Sequence, residues 1–135
     1  MNQQLKESEL TDLLDELDPP YESKEELKIG RMLDQYGIPF FYKQPTVILN
    51  RNSNEIWYPS FTLPHYGGII IDYIEQQRQA AERIDIYRYN QTPATILGPK
   101  DIDKPNWQEL LYGKLEQSYS RLIEELNYTM PCNHE

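Results

Sequence analysis

The sequence predicts a mixed α/β fold, a sheet of about four strands flanked by helices, with an extra helix at the N-terminus. Three observations predict it. Residues 56–74 hold two β-branched and aromatic runs around a turn rich in Pro and Gly. Apolar residues at helical spacing recur on both sides of those runs. At 135 residues the chain suits one domain with a proper core.

In chain order, residues 5–17 carry Leu10, Leu13, Leu14 and Leu17 at helical spacing among Glu9, Asp12, Asp15 and Glu16. This acidic amphipathic helix ends at Pro19 and Pro20, making residues 1–20 a helix with its linker. Its leucine stripe either packs on its own domain or meets a protein partner or second copy. Ser23 and Glu26 then read as a reciprocal capping box, ahead of Leu27, Ile29, Met32, Leu33 and a stop at Gly37. Residues 38–42 lead into the extended run 46–49, and residues 51–54 form a turn. Residues 56–61 and 69–74 are expected to pair as a hairpin across Pro64 to Gly68. Residues 75–89 read as a helix with Ala80, Ala81, Ile84 and Tyr87 or Arg88 facing a sheet. After a break at residues 90–93, residues 94–97 are a short strand. The last helix runs from about 105 to 126, with Trp107, Leu110, Leu111, Leu115, Leu122, Ile123 and Leu126 apolar, and residues 127–135 are a loose tail. The expected order after the first helix is α, β, β, β, α, β, α.

Asp72 is the residue that calls for explanation. It interrupts Ile69-Ile70-Ile71 and Tyr73-Ile74, and strand alternation puts it on one face with Ile70 and Ile74. A carboxylate in such surroundings needs a donor, a cation, a metal or a proton. Tyr58, Ser60 or a backbone amide is the structural partner available nearby.

Net charge is −9, and residues 1–26 contribute −7 of it. Affinity for phosphate backbones that ignores sequence comes from Lys and Arg, so such a chain is a poor general binder of nucleic acid. Among the eleven bases outside that segment, Arg51, Arg78, Arg83, Arg88, Lys100 and Lys104 are scattered over several elements, with Tyr87 and Tyr89 near some of them. A single cysteine, Cys132, excludes an internal disulfide. No run reaches the length of a membrane span and the N-terminus lacks an apolar leader, which gives the expectation of a cytoplasmic protein without membrane contact. Cys132-x-His134 has too few ligands for a metal site, and His65 sits in an exposed turn. Gly67-Gly68 is a turn rather than a phosphate cradle, since no helix start follows it.

The segments Glu26-x-x-Ile29-x-x-x-Leu33-x-x-x-Gly37-Ile38, Tyr58-Pro59-Ser60-Phe61-x-Leu63-Pro64 and Ile69-Ile70-Ile71-Asp72-Tyr73 occur in register over residues 21–126. In this they resemble the PD-(D/E)XK nuclease superfamily, the restriction-endonuclease-like fold. The resemblance implies a helical glutamate at Glu26, an Asp at the position of Ser60, an acid at Asp72 and a Lys at the position of Ile74. In that family the sheet acids hold Mg²⁺ or Mn²⁺, which polarises the scissile phosphate and acidifies water.

This chain departs at two of the four positions. Ser60 is a weaker ligand than a carboxylate, and Ile74 can neither donate a proton nor stabilise the transition state. Glu75, Glu25 or Glu55 is available to replace the acid, and Gln76, Gln77 or Arg78 to replace the Lys. The sequence expectation is therefore a degenerate nuclease-like domain with little or no catalysis and no metal. It would bind nucleic acid, or a protein partner through the N-terminal helix. The alternative is an active Mg²⁺- or Mn²⁺-dependent endonuclease using Asp72 and Glu26 with a relocated ligand.

Overall fold

The computed structural model describes residues 20–129. Most of the expected N-terminal helix and linker (residues 1–19) and of the tail, with Cys132 and His134, lies outside them. Helix α1 spans Lys24–Gln35, capped by the Ser23 hydroxyl, which accepts the Glu26 N–H at 3.1 Å. It ends where Gly37 takes φ +68°, a conformation that glycine reaches without strain.

Six strands follow: β1 (Phe41–Tyr42), β2 (Thr46–Asn50), β3 (Ser53–Trp57), β4 (Phe61–Leu63), β5 (Ile69–Tyr73) and β6 (Ala94–Leu97). Four of them form a mixed sheet in the order β1-β4-β5-β6, while β2 and β3 form a separate two-stranded sheet. β1, β4 and β5 pair antiparallel, and β6 runs parallel to β5. A parallel neighbour requires a crossover, here helix α2 (Gln77–Tyr89). A short helix α3 (Pro99–Ile102) and the long α4 (Trp107–Thr129) complete the described residues. None of the described helices is long and apolar enough to cross a membrane.

The sheet is covered on both faces. Ile29, Met32 and Leu33 of α1, with Leu111 and Leu115 of α4, pack against Phe61, Leu63, Ile69 and Ile71. Ile48 of the hairpin and Tyr87 of α2 meet Ile70 on the other face. This is why β5 is apolar at nearly every position rather than at alternate ones.

Three expectations need correction. Residues 56–61 do not form one strand: Ile56 and Trp57 belong to β3 and pair with Val47 and Thr46, whereas Phe61 pairs with Ile71. Pro59, which has no N–H, separates the two strands, and the Ser60 amide is given to a side chain. The expected hairpin thus survives only as β4–β5, closed by a 3₁₀ turn at Pro64–Tyr66 and two glycines with positive φ. The turn after β2 is shorter than expected because Arg51 adopts φ +61°, and the chain pairs back at once as β3. Finally α2 starts at Gln77 rather than Glu75, α4 runs from Trp107 to Thr129 so that the first residues of the expected loose tail are helical, and on α2 Tyr87 is buried while Ala81 and Arg88 are exposed.

Candidate functional site

Asp72 lies on β5 between β4 and β6, with 3% of its surface exposed. Both carboxylate oxygens are fully engaged. Oδ1 accepts the Ser60 N–H at 3.2 Å and the Ser60 hydroxyl at 3.1 Å. Oδ2 accepts Arg83 Nη1 at 2.7 Å and the Tyr87 hydroxyl at 2.8 Å. Removing a carboxylate from water costs several kcal/mol, and a cation with three further donors is the arrangement that offsets it.

The donors are themselves held. The Ser60 hydroxyl accepts the Tyr73 N–H at 3.2 Å, so it bridges β4 and β5. Arg83 and Tyr87 stand four residues apart on α2 and therefore share one face of the helix. The Arg83 guanidinium lies 4.4 Å from the centre of the Trp57 ring, whose edge packs on Tyr87 at 5.4 Å between centroids. Trp57 donates to Glu55 Oε1 at 2.9 Å. That bond first, and one from Asn50, hold the Glu55 carboxyl below its ordinary range. Glu55 is thus a fixture of the β2–β3 hairpin.

Glu26 has a separate set of partners and is also 3% exposed. The capping box is half formed: Ser23 caps the Glu26 amide, but the Glu26 side chain does not return to Ser23. It accepts the Tyr42 hydroxyl at 2.8 Å and the Glu22 N–H at 3.3 Å, and pairs with Lys43 Nζ at 3.2 Å. A carboxylate this deeply buried needs such partners, because leaving it unpaired would cost several kcal/mol. Lys43 also pairs with Glu22 at 3.3 Å, and its own amide donates to the Ser60 carbonyl at 3.2 Å. The backbone at Lys43 is left-handed, φ +55°, which turns the chain out of β1.

A cleft of about 330 Å³ brings Lys43, Asp72, Ile74, Gln76, Gln79 and Arg83 together, and Tyr58, Tyr73 and Glu75 also line it. Ile74, where the resemblance implies Lys, is 8% exposed and contributes only hydrocarbon. Of the possible replacements, Glu75 and Gln76 reach the cleft; Gln77 and Arg78 do not line it. The Arg78 side chain is 95% exposed, near Glu82 of its own helix. Of the three nearby partners the sequence offers for Asp72, Ser60 and its backbone amide are used, whereas Tyr58 is exposed; Tyr87 supplies the phenol instead. Among the described residues, no group of three His, Cys, Asp or Glu side chains is arranged to hold a metal ion.

Lys43, Arg83 and Tyr87 are thus the site residues whose roles the sequence concealed. The four-residue spacing of Arg83 and Tyr87 was a usable signal. For Lys43 there was none, because its approach to Glu26 depends on the turn after β1.

Burial raises the Tyr42, Tyr66 and Tyr87 hydroxyls well above the ordinary value of 10.0; nearby carboxylates, Asp72 for Tyr87, add to the shift. A raised folded-state value means that the neutral tyrosines stabilise the fold fully below that ordinary value. The contribution is lost as pH rises through the folded values. Spectrophotometric titration should show these tyrosines ionising late and together with loss of secondary structure, and an early, reversible ionisation of every tyrosine without unfolding would contradict it.

Comparison of the chain with protein-family models, with curated proteins and with solved structures finds no match.

Proposed function

We propose that this chain is a PD-(D/E)XK-like domain whose catalytic centre has become a structural ion-pair network, and that it acts by binding rather than by hydrolysis. The observation that carries this reading is the four-donor shell on Asp72, with Arg83 at 2.7 Å. A carboxylate needs a free lone pair and a local excess of negative charge to hold Mg²⁺. Asp72 has spent its lone pairs on the protein. Support for the fold assignment comes from the order of α1, the antiparallel β1, β4 and β5, the crossover α2 and the parallel β6. Ser60 also meets Asp72 where the family would bring two acids together.

Of the two binding partners, the ion pairs favour protein over nucleic acid. Arg83 is bound to Asp72, Lys43 to Glu22 and Glu26, and Arg88 lies within reach of Asp85. The two cations that line the cleft, Lys43 and Arg83, are therefore already committed to buried carboxylates.

The alternative, a Mg²⁺- or Mn²⁺-dependent nuclease, draws on one observation: Lys43 opens into the same cleft as Asp72 and offers the ammonium that Ile74 lacks. Nicking of supercoiled plasmid with Mn²⁺ decides between them. The expected result is no cleavage above a buffer control. Cleavage by the wild type that is lost in Lys43→Ala would establish the nuclease reading instead.

A further inference from the structure

A hollow of about 170 Å³ lies between α3 and the first turns of α4 and shares no lining residue with the cleft at Asp72. Its floor is the outer edge of the main core, Leu97, Ile102 and Leu111. Trp107, Leu110, Leu111 and Lys114 follow at helical spacing along one stripe of α4, so this wall is hydrocarbon up to the ammonium at its end. Leu110 keeps 44% of its surface exposed. Lys104 completes the rim, and both lysines are exposed. Asp101, the acid in the lining, is tied back to the Gly98 N–H at 2.8 Å. The hollow is thus apolar inside and positive at its lip. It is smaller than the roughly 300–1,000 Å³ usual for small-molecule sites and suits side chains inserted from a helix.

Residues 1–19 carry the complementary pattern. Leu10, Leu13, Leu14 and Leu17 make an apolar stripe, Glu9 and Glu16 flank it seven residues apart, and the segment as a whole has six acids against one base. The point at which it joins the described fold is on the same side of the molecule. The Glu22 N–H donates to the Tyr42 hydroxyl at 2.9 Å, and the Tyr21 ring packs on Tyr42 at 4.9 Å between centroids. Tyr42 stands opposite Phe61 and Phe61 opposite Ile71; two residues further along β5, Tyr73 stands opposite Leu97 in the floor of the hollow. The Tyr73 hydroxyl is raised above its ordinary value, first by burial and then by the carboxylates of Glu25, Glu75 and Asp103. The start of α1 and the residue after α3 therefore meet at one end of the sheet. Pro19 ahead of Pro20 favours an extended connection, and the four residues from Leu17 to Tyr21 reach about 13–14 Å. A tether this short gives an effective concentration on the order of mM. The hollow at Arg88 and Arg121 fits the segment less well, since it opens beside Pro93 and Ala94 at the opposite end of β6 and has Glu125 in its wall.

We propose that residues 5–17 fold back on their own chain as a helix that seats its leucines in the hollow between α3 and α4, with its acids toward Lys104 and Lys114. The domain thereby covers its own docking site for an acidic amphipathic helix, and a partner offering such a helix has to displace it. The seat is independent of what happens at Asp72.

The test is carbodiimide cross-linking of the full chain, which joins a carboxylate to an ammonium in contact with it. Peptide mass spectrometry on an equal mixture of unlabelled and isotope-labelled protein reads the products. Cross-links from the acids of residues 7–18 should fall on Lys104 and Lys114, within a single chain, at least ~10-fold more often than on Lys24 and Lys28, which are exposed and nearer in sequence. Leu13→Ser combined with Leu14→Ser should cut these products by at least ~10-fold. Both substitutions lie outside the described residues, and near-ultraviolet circular dichroism checks that the domain is intact. An even spread over all four lysines, no cross-link at Lys104 or Lys114, or products unchanged in the leucine variant would overturn the proposal. So would cross-links joining labelled to unlabelled chains, because the occupant would then be a second copy.

Discussion

Asp72→Asn should lower the stability of the protein by about 3–5 kcal/mol in urea denaturation, the usual cost of removing one member of a buried ion pair. The amide has a single oxygen to offer four donors. Whichever way it turns, its NH₂ faces either the Ser60 amide and hydroxyl or the pair formed by Arg83 and Tyr87. The half-buried Arg83 guanidinium would lose its counter-ion in the same step. Acids that hold a metal behave differently: they repel one another, and neutralising one commonly leaves the fold as stable as before or more so. A stable, well-folded Asp72→Asn protein would therefore undo the structural account of this residue and return it to the list of catalytic acids.

Arg83→Met should be nearly as costly, about 3 kcal/mol or more, although the side chain is largely replaced in volume. The change strands the Asp72 carboxylate and takes the cation from the face of Trp57. The double variant carrying both substitutions supplies the sharper measurement. If the two side chains act mainly on each other, it should be less destabilised than the summed single variants, by about 0.5–3 kcal/mol. Simple additivity would mean that each is held by its other neighbours and that the 2.7 Å contact is incidental.

What the sequence disclosed and what it hid follow the same physical line. Ser23, Gly37 and the run 94–97 act on their own backbone, so their effects are local and readable. Asp72 was conspicuous because an acid among isoleucines must be answered by something. Half of the answer was readable, since Ser60 and its backbone amide lie nearby in sequence and both donate to Asp72; Arg83 and Tyr87 were not, because they come from a helix packed over the sheet. Glu26 was misread for a related reason: a capping box and a buried ion pair begin with the same residue, and only the approach of Lys43 and Tyr42 separates them. The β2–β3 hairpin was missed because 56–61 looks like one continuous strand by composition, and a single imino acid at Pro59 divides it. The metal-binding pattern was legible only as a resemblance, and at Ser60 and Ile74 the residues themselves depart from it.

The partners of Asp72 are close in sequence: Ser60 is 12 residues before it, Arg83 and Tyr87 are 11 and 15 after it. Closing such short loops costs little chain entropy, and the cost rises only slowly with length. The strand pair β4–β5 and the helix α2 thus make a contiguous unit that can assemble before α1 or α4 has docked. In this protein the buried charge would then be answered early on the folding path, while solvent can still reach it. Its counter-ion would arrive with the helix rather than after the core has closed. Loss of Asp72 would accordingly be felt chiefly in the rate of refolding, and much less in the rate of unfolding.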